Sequence, residues 1–492
     1  MAFKNFNKLS IIVLILLFVS QSLTAQDCKT TIRGHEPSLK NQKIEFEIES
    51  DFISGLPKVL TTVTADDSGT FSVNLPIKEV TFLKLNFGKF SGVLFAEPCR
   101  NYDLQFPKFE HKDIVDSLNP YFEPVSFYFI IKNPIIPELN DAIANLDQII
   151  NEYLGYHFYH LTQQRYFSEI DTLAPFLDSL FSDIEHPFFL DYKRYSLAHI
   201  YTLIRLRNDQ FLIKNYLMDQ PILYNNPAYG LFFEQIFTNY IQPYSETKYG
   251  KRIIHDIARA KSYTFAMETL ANNPVLRGNE LRELVLIKSL YDVVIEDQLP
   301  KSSCMQTLDS VRILTNIDKH RDIVDNVIKK LNTLAVGTTI PDFELYDSDN
   351  NLVKSKHLKG KFIYLTFMNI KAFNSLNDLE TLSALNQKYS DKLRIVTVII
   401  GSGTMNEAKK IFSKNKYDWL LLDGTNNQQL EQDYKLRASL TCYLVSSDLK
   451  LLMSPALNPN EKFEVTFINF LRAERIEQLR NTKKNDSLIN KY

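Results

Sequence analysis

Strand-like and helix-like stretches alternate over residues 336–475, and this alternation limits the possible folds more than any other feature of the chain. The run "KFIYLTFMN" is apolar, as in a strand, and a short turn and an amphipathic helix follow it. The stretch "RIVTVIIGSGTMNEAKKIFSKNKYDWLLLDG" repeats the order of strand, helix and strand. Strands that alternate with helices predict an α/β domain. The polar residues 476–492 that follow predict a frayed tail.

The chain before this domain divides into two segments with different periodicity. Over residues 27–108, stretches such as "KIEFEIES" and "TFSVNLPI" alternate polar and apolar side chains, and "ADDSG" predicts a turn. Several short strands of this kind predict a β-sandwich. Over residues 112–334, apolar side chains recur every three or four positions, as at Leu139, Ile143 and Leu146, which predicts helices. The expected fold is multidomain, with an N-terminal all-β sandwich, a central all-α domain and a C-terminal α/β domain.

Residues 1–25 have the features of a secretory signal peptide. Lys4 and Lys8 precede the apolar run "IIVLILLFV", and the small residues in "LTAQ" place cleavage after Ala25. The alternative is an uncleaved N-terminal anchor. With cleavage, the sequence predicts an exported protein of the periplasm, the extracellular space or the cell envelope, with no integral membrane span. Because the formal net charge is −2 and no basic run occurs, no nucleic-acid partner is predicted.

The chain contains four cysteines, Cys28, Cys99, Cys304 and Cys442. An export compartment permits disulfides, and four thiols allow three complete pairings. Cys28 and Cys99 fall in the same predicted domain, so theirs is the favoured disulfide. Cys304 and Cys442 are predicted to be buried free thiols, because a free cysteine packs as a small apolar side chain.

Two stretches of the predicted α/β domain resemble a known family. They are "VGTTIPDFELYDSDNNLVKSKHLKGKFIYLTFMN" and "YKLRASLTCYLVSSDLKLL". With the segment between them, they resemble the TlpA/ResA-like, AhpC/TSA-related branch of thioredoxin-fold proteins. The stretches "DDSGTFSVNLP" and "LFAEPCRNYDL" loosely resemble the small β-sandwich that precedes such domains in bacterial envelope proteins. The resemblance implies a thioredoxin-like fold over residues 336–475 and, in active members, thiol–disulfide exchange.

The residues that carry this family's chemistry are missing from the aligned positions. The two family cysteines align with Ala372 and Ser375, the preceding tryptophan with Lys371, and the cis-proline with Leu440. A methyl group cannot attack a disulfide, and a serine hydroxyl ionises at too high a pH for this exchange. Because a non-proline cis bond costs about 3 kcal/mol, the bond before Leu440 is predicted to be trans. The resemblance thus implies a degenerate C-x-x-C site, and we expect no cofactor and no metal.

The leading hypothesis is a redox-inactive pseudo-enzyme that binds or scaffolds an unknown protein or peptide partner in the envelope. One alternative is a divergent thiol–disulfide oxidoreductase that uses Cys442 or Cys304. Another is a glycan- or peptide-binding module in the helical domain, where aromatic residues between positions 120 and 240 could line a groove. Charged stretches such as "ELRE" (280–283) are interpreted as solvated helix faces.

Overall fold

The computed structural model describes the residues in the ranges 29–111, 124–159, 170–205, 207–401, 403–425, 427–436 and 438–472. They form two compact units, the first within residues 29–110 and 124–327 and the second within residues 111 and 328–472. The predicted signal peptide, Cys28 and the polar tail lie outside the described residues. Within the described ranges, no helix is long and apolar enough to cross a membrane.

The first unit begins with strands that form two sheets. The strands are β1 (Thr30–His35), β2 (Lys43–Glu49), β3 (Pro57–Thr64), β4 (Thr70–Leu75), β5 (Thr81–Phe87), β6 (Phe90–Ala96), β7 (Asn101–Gln105), β8 (Val125–Tyr128) and β9 (Ile130–Ile131). One sheet has the order β4–β1–β7–β9, and the other has the order β3–β2–β5–β6–β8. Apolar side chains from both sheets form one core, to which β5 contributes Leu83, Leu85 and Phe87 at alternating positions. The two sheets therefore form a β-sandwich.

Two of these strands lie beyond residue 108, the predicted end of the β domain. Strand β8 pairs in parallel with β6, and β9 pairs antiparallel with β7, so strand structure continues to Ile131. The two strands are only four and two residues long. Strands of this length are too short to show a clear two-residue period in the sequence. The segment predicted to be all-helical therefore opens with strands.

Helices follow up to residue 332. They are α1 (Leu139–Tyr159), α2 (Ile170–Leu180), α3 (Pro187–Leu203), α4 (Asp209–Tyr216), α5 (Pro227–Phe237), α6 (Ile241–Glu246), α7 (Ile253–Ala258), α8 (Tyr263–Ala271), α9 (Asn279–Ile295), α10 (Lys301–Leu314) and α11 (Asp318–Asn332). Local sequence fixes several of the helix starts. For example, the Asn226 side chain accepts hydrogen bonds from the backbone N–H groups of Ala228 and Tyr229, and Pro227 occupies the first turn of α5.

The β-sandwich and the helices belong to one unit because their side chains pack together. Phe95 of β6 packs against Phe188 and Tyr192 of α3, with ring centroids 5.7 Å apart in both pairs. The Asn140 side chain of α1 accepts a hydrogen bond of 2.7 Å from the Phe95 backbone N–H. The sequence predicts separate β and helical domains, whereas these contacts join the two within one compact unit.

Gly69 closes the turn predicted at "ADDSG". Its φ is +78°, and a Cβ atom added there would lie 2.1 Å from the Glu36 carbonyl oxygen. We therefore expect Gly69→Ala to lower the free energy of unfolding by about 2 kcal/mol in urea denaturation. Gly155→Ala in α1 is the matched control, because its added Cβ meets no atom within 4 Å outside its own helix turn. This control should raise the same free energy by about 0.8 kcal/mol. Equal effects of the two substitutions would contradict the proposed clash.

The second unit is built on one mixed sheet of seven strands. The strands are β10 (Glu344–Asp347), β11 (Leu352–Lys354), β12 (Phe362–Met368), β13 (Leu393–Ile399), β14 (Leu420–Asp423), β15 (Leu440–Val445) and β16 (Leu451–Ala456). Their order is β11–β10–β14–β13–β12–β15–β16. Strands β12, β13 and β14 run parallel, and β15 runs antiparallel to β12. All residues of β12 are buried, as expected for a central strand that is covered on both faces.

Three helices connect these strands, namely α12 (Ser375–Tyr389), α13 (Met405–Asn415) and α14 (Gln428–Asp433). Alternate side chains of β12 belong to two different apolar clusters. Tyr364 packs with Leu379 of α12 in one cluster, and Ile363 packs with Leu430 of α14 in the other. Because successive strand residues point to opposite faces, the sheet carries helices on both sides.

Candidate functional site

The turn between β12 and α12 contains the positions that the family resemblance aligns with the two cysteines. Hydrogen bonds within the turn fix its backbone. The Ala372 N–H donates to the Asn369 carbonyl at 3.1 Å, and the Ser375 N–H donates to the Ala372 carbonyl at the same distance. The buried Asn369 side chain accepts a hydrogen bond of 3.0 Å from the Lys371 N–H. Ala372 therefore lies in the turn, and Ser375 is the first residue of the helix.

The Ser375 hydroxyl takes part in this turn. It lies 2.7 Å from the Ile370 carbonyl oxygen and 2.8 Å from the Ala372 carbonyl oxygen, and the side chain is 3% exposed. Its single hydrogen is thus directed at backbone acceptors. A nucleophilic serine needs its proton to be taken by an adjacent base, which two carbonyl oxygens cannot do. The geometry gives this hydroxyl a structural role.

Leu440 lies next to the turn at the start of β15. It is paired with Met368 across the sheet, and the Asn369 N–H donates a hydrogen bond of 2.8 Å to the Ser439 carbonyl. In the described part of the chain, the cis peptide bonds precede Pro137 and Pro455, so the bond before Leu440 is trans. The structure thus places Leu440 beside the turn that holds Ala372 and Ser375, with the bond geometry that the sequence predicted.

Two apolar side chains are exposed at this end of the sheet. Phe373 is fully exposed, and Leu376 is 55% exposed. They flank the helix N-terminus, which begins at Ser375. Burial of exposed aromatic rings contributes strongly to binding between proteins. This pair of side chains is the exposed apolar part of the turn and the start of the helix.

Cys442 lies two residues after Leu440, on β15. It is 1% exposed, and burial raises the pKa of its thiol to about 12, although the interaction with Tyr364 acts in the opposite direction. Its Sγ lies 3.8 Å from Oδ1 of Asn458, in the wall of a cavity of about 560 Å³ beside β15 and β16. A thiol with this pKa is almost entirely protonated at neutral pH, and the thiolate is the reactive form. Burial therefore disfavours the thiolate form of Cys442.

Two further cysteines, Cys304 and Cys99, belong to the first unit. Cys304 of α10 is a buried free cysteine whose pKa is raised to about 11 by burial. Cys99 is disulfide-bonded. Its predicted partner, Cys28, lies outside the described residues, so the Cys28–Cys99 pairing stays a prediction. Among the residues that the structure describes, no group of three or more His, Cys, Asp or Glu side chains could hold a metal ion.

The aromatic residues between positions 120 and 240 divide into two groups. Some form core, and the fully buried ones include Tyr195, Tyr229, Phe232, Phe233 and Phe237. Others line a cavity in the first unit, and these include Tyr128, Tyr192 and Tyr224. The aromatic content alone could not separate the groups, because helical spacing produces both core and cavity-lining positions.

Glu283 of α9 lies in a buried polar cluster that the sequence analysis missed. Its carboxylate contacts the Thr315 hydroxyl at 2.5 Å, the Tyr263 hydroxyl at 2.6 Å and Nδ1 of His320 at 2.7 Å. Nε2 of His320 lies 2.7 Å from the Tyr224 hydroxyl. The interpretation of "ELRE" as a solvated helix face is wrong for Glu283, which is only 4% exposed. The apolar run "LVLI" that follows was the available signal, because a helix that is apolar on most sides is buried.

Hydrogen bonding determines the charge state of Glu283. Burial by itself would raise the pKa of this carboxyl group. The hydrogen bonds from His320, Thr315 and Tyr263 outweigh that effect, and the pKa of Glu283 lies below its usual value. The carboxylate is therefore held in its charged form inside the helical part of the first unit.

Comparison with solved structures finds similarity to thioredoxin-like thiol–disulfide oxidoreductases over part of the chain. The thioredoxin domain of a thiol–disulfide oxidoreductase from Bacteroides vulgatus is 17% identical, with 27% of this chain and 95% of that chain covered and a TM-score of 0.25. A thiol:disulfide interchange protein from Bacteroides sp. is 17% identical, with 27% and 89% covered and a TM-score of 0.25. The exposed lipoprotein thioredoxin Etrx1 from Streptococcus pneumoniae is 19% identical, with 25% and 97% covered and a TM-score of 0.22. At these identities and TM-scores, nothing about activity follows.

No family model matches the chain, and no curated protein matches it.

Proposed function

We propose that the second unit is a thioredoxin-like domain in which a binding surface replaces the thiol site. The protein would act as a redox-inactive binding or scaffolding protein of the cell envelope, with an unfolded protein or peptide segment as its partner. The proposal rests on the hydrogen bonding and exposure of side chains in the turn after β12. The Ser375 hydroxyl is directed at the Ile370 and Ala372 carbonyls, whereas the Phe373 ring is fully exposed.

The free thiols support the redox-inactive part of the proposal. Burial raises the pKa of Cys442 to about 12 and that of Cys304 to about 11. Export rests on the signal-peptide pattern of residues 1–25. The divergent-oxidoreductase alternative requires one of these thiols to ionise near neutral pH, which their burial disfavours.

An insulin precipitation assay distinguishes a binding protein from an oxidoreductase, because the two change the onset time of precipitation in opposite directions. Dithiothreitol reduces insulin and makes its B chain precipitate; an oxidoreductase speeds this onset, whereas a protein that binds the unfolded chain delays it. We expect the full-length protein to delay onset roughly twofold through apolar contacts of the kind made by Phe373. Phe373→Ser should remove the delay, and Cys442→Ser should leave it unchanged. Faster onset that disappears in Cys442→Ser would overturn the proposal in favour of the enzymatic alternative.

A further inference from the structure

Charge is distributed unevenly between the second unit and the rest of the chain. Residues 328–472 contain 19 Lys and Arg against 15 Asp and Glu, whereas the whole chain contains 56 and 58. The second unit is therefore basic, and the rest of the chain is acidic. Such an asymmetry favours a partner that attracts one part of the chain and repels the other.

Three segments meet at the end of the sheet where β12 and β13 begin. They are residues 358–361 before β12, residues 389–392 before β13, and the turn 446–450 between β15 and β16. The Gly360 N–H donates a hydrogen bond of 3.0 Å to the Ser447 carbonyl, and the Phe362 N–H donates one of 3.1 Å to the Lys392 carbonyl. These bonds hold the three segments side by side.

Five cationic side chains lie on these segments and on the start of β13. They are Lys359, Lys361, Lys392, Arg394 and Lys450, which together are called the basic end. Two of them are held by uncharged groups. Nζ of Lys361 donates to the Ser390 carbonyl at 2.7 Å, and Nη1 of Arg394 donates to the Leu358 carbonyl at 3.0 Å. A carbonyl group orients these cations without neutralising their charge.

The ammonium groups of Lys359 and Lys392 are available to a partner. Both side chains are exposed, and neither makes an ion pair or a side-chain hydrogen bond with any residue that the structure describes. Two carboxylates lie among the cations. Asp448 is paired with Lys450 at 3.3 Å, and Asp391 is exposed. Five cations and two carboxylates leave the basic end with an excess of positive charge.

The surroundings of the basic end do not reverse this charge. Lys388, in the last turn of α12, is paired with Glu464, so this pair adds no net charge. Helix α13 ends next to the start of β14, which runs parallel to β13. There the exposed Lys414 and Lys416 outnumber Asp418. The positive charge therefore continues beyond the basic end.

The chemistry of the basic end fits a broad anionic surface. Four of its five cations are lysines, whose ammonium groups are point charges on flexible stems, and its guanidinium is held by a backbone carbonyl. Flexible point charges suit a surface on which the negative charge is spread out, whereas a nucleic-acid phosphate is best recognised by a free arginine fork. For a protein with the signal-peptide pattern of residues 1–25, anionic lipid headgroups are such a surface.

We infer that the basic end docks this protein on a lipid bilayer that contains anionic headgroups. Strand β12 runs from the basic end to the turn that holds Phe373, over seven residues or about 23 Å. Docking would therefore leave Phe373 at the end of the unit that is distant from the bilayer. The inference uses the export that is part of the proposed function but not the binding of a peptide, so the insulin assay and a lipid assay can fail independently.

Vesicle sedimentation tests the inference on the chain that starts at Gln26, because the apolar run within residues 1–25 would itself bind lipid. Vesicles of phosphatidylcholine with about one third phosphatidylglycerol are compared with vesicles of phosphatidylcholine alone. We expect binding to the anionic vesicles to be at least about tenfold tighter and to be lost at about 0.5 M salt, which screens the charges. Equal binding to both vesicles, or binding to soluble dextran sulfate without binding to either vesicle, would overturn the inference.

Two double variants locate the docking surface. Lys359→Glu/Lys392→Glu reverses two exposed charges of the basic end and should weaken binding to the anionic vesicles at least about tenfold. Lys410→Glu/Lys462→Glu makes the same change in net charge at exposed residues outside the basic end and should weaken binding less than about threefold. Thermal unfolding curves check that both variants are folded. Equal loss of binding in the two variants would attribute the binding to net charge and reject the basic end.

Discussion

Glu283→Gln is expected to lower the free energy of unfolding by about 3 kcal/mol, because it removes a buried carboxylate that accepts three hydrogen bonds. The glutamine keeps the shape of the side chain but not its charge. It also brings an NH₂ group next to Tyr263, Thr315 or His320, each of which donates to the carboxylate in the native protein. Urea denaturation at neutral pH measures the difference.

The pH dependence of this effect has a defined sign. The folded-state pKa of Glu283 lies below the usual value of 4.5. Its contribution to stability is therefore fully present above pH 4.5 and is lost as the pH falls through the folded-state pKa. We expect the stability gap between the native protein and Glu283→Gln to narrow below about pH 4.5. Glu296→Gln, at the exposed end of the same helix, is the control and should change stability by less than about 0.5 kcal/mol. If the difference in the free energy of unfolding between the native protein and Glu283→Gln became larger below pH 4.5, the lowered folded-state pKa of Glu283 would be contradicted.

Introducing two cysteines into the turn before α12 is expected to create disulfide-exchange activity. The double variant Ala372→Cys/Ser375→Cys puts one thiol in the turn before α12 and one at the first residue of the helix. The hydrogen bond of 3.1 Å from the Ser375 N–H to the Ala372 carbonyl closes a four-residue turn. Such a turn brings its first and last Cα atoms within about 7 Å, which is close to the span of a disulfide. The helix N-terminus would lower the pKa of the thiol nearest to it.

The double variant should reduce insulin at least about a hundredfold faster than the native protein, with dithiothreitol as the source of electrons. Ser375→Cys alone is the control, since its thiol is buried and has no resolving partner. We expect this control to have the native rate. If the double variant forms its disulfide, as shown by thiol titration, and still has no activity, the thioredoxin-like character of this turn would be rejected.

Elements with strong periodicity could be predicted from the sequence. The apolar run of β12 and the amphipathic pattern of α12 are both present in the structure, because each is determined by the spacing of residues next to one another in the chain. Strands β8 and β9 were not predicted, because their pairing with β6 and β7 depends on residues more than twenty positions away. The contact of Asn140 with Phe95 is equally long-range, and it places helices and sandwich in one unit.

The position of the candidate site could be predicted from the sequence, but the exposure of its side chains could not. The resemblance indicated Ala372, Ser375 and Leu440, and the structure brings the turn and Leu440 together through the pairing of Met368 with Leu440. The exposure of Phe373 could not be predicted, because it depends on what packs against the turn. The burial of Glu283 was missed for the same reason, since Thr315 and His320 lie on other segments of the chain.

The sequence by itself determined which chemical groups are available. No cysteine stands at position 372 or 375, and no tertiary arrangement can supply a sulfur atom that the turn lacks. Tertiary structure decided how the remaining groups behave. It buries Cys442 and so raises the pKa of its thiol to about 12, and it forms a cavity with aromatic lining residues between a sheet and helices that are separate in the sequence. Solvent exposure and charge compensation depend on neighbours distant in the chain, so these properties exist only after the chain has folded.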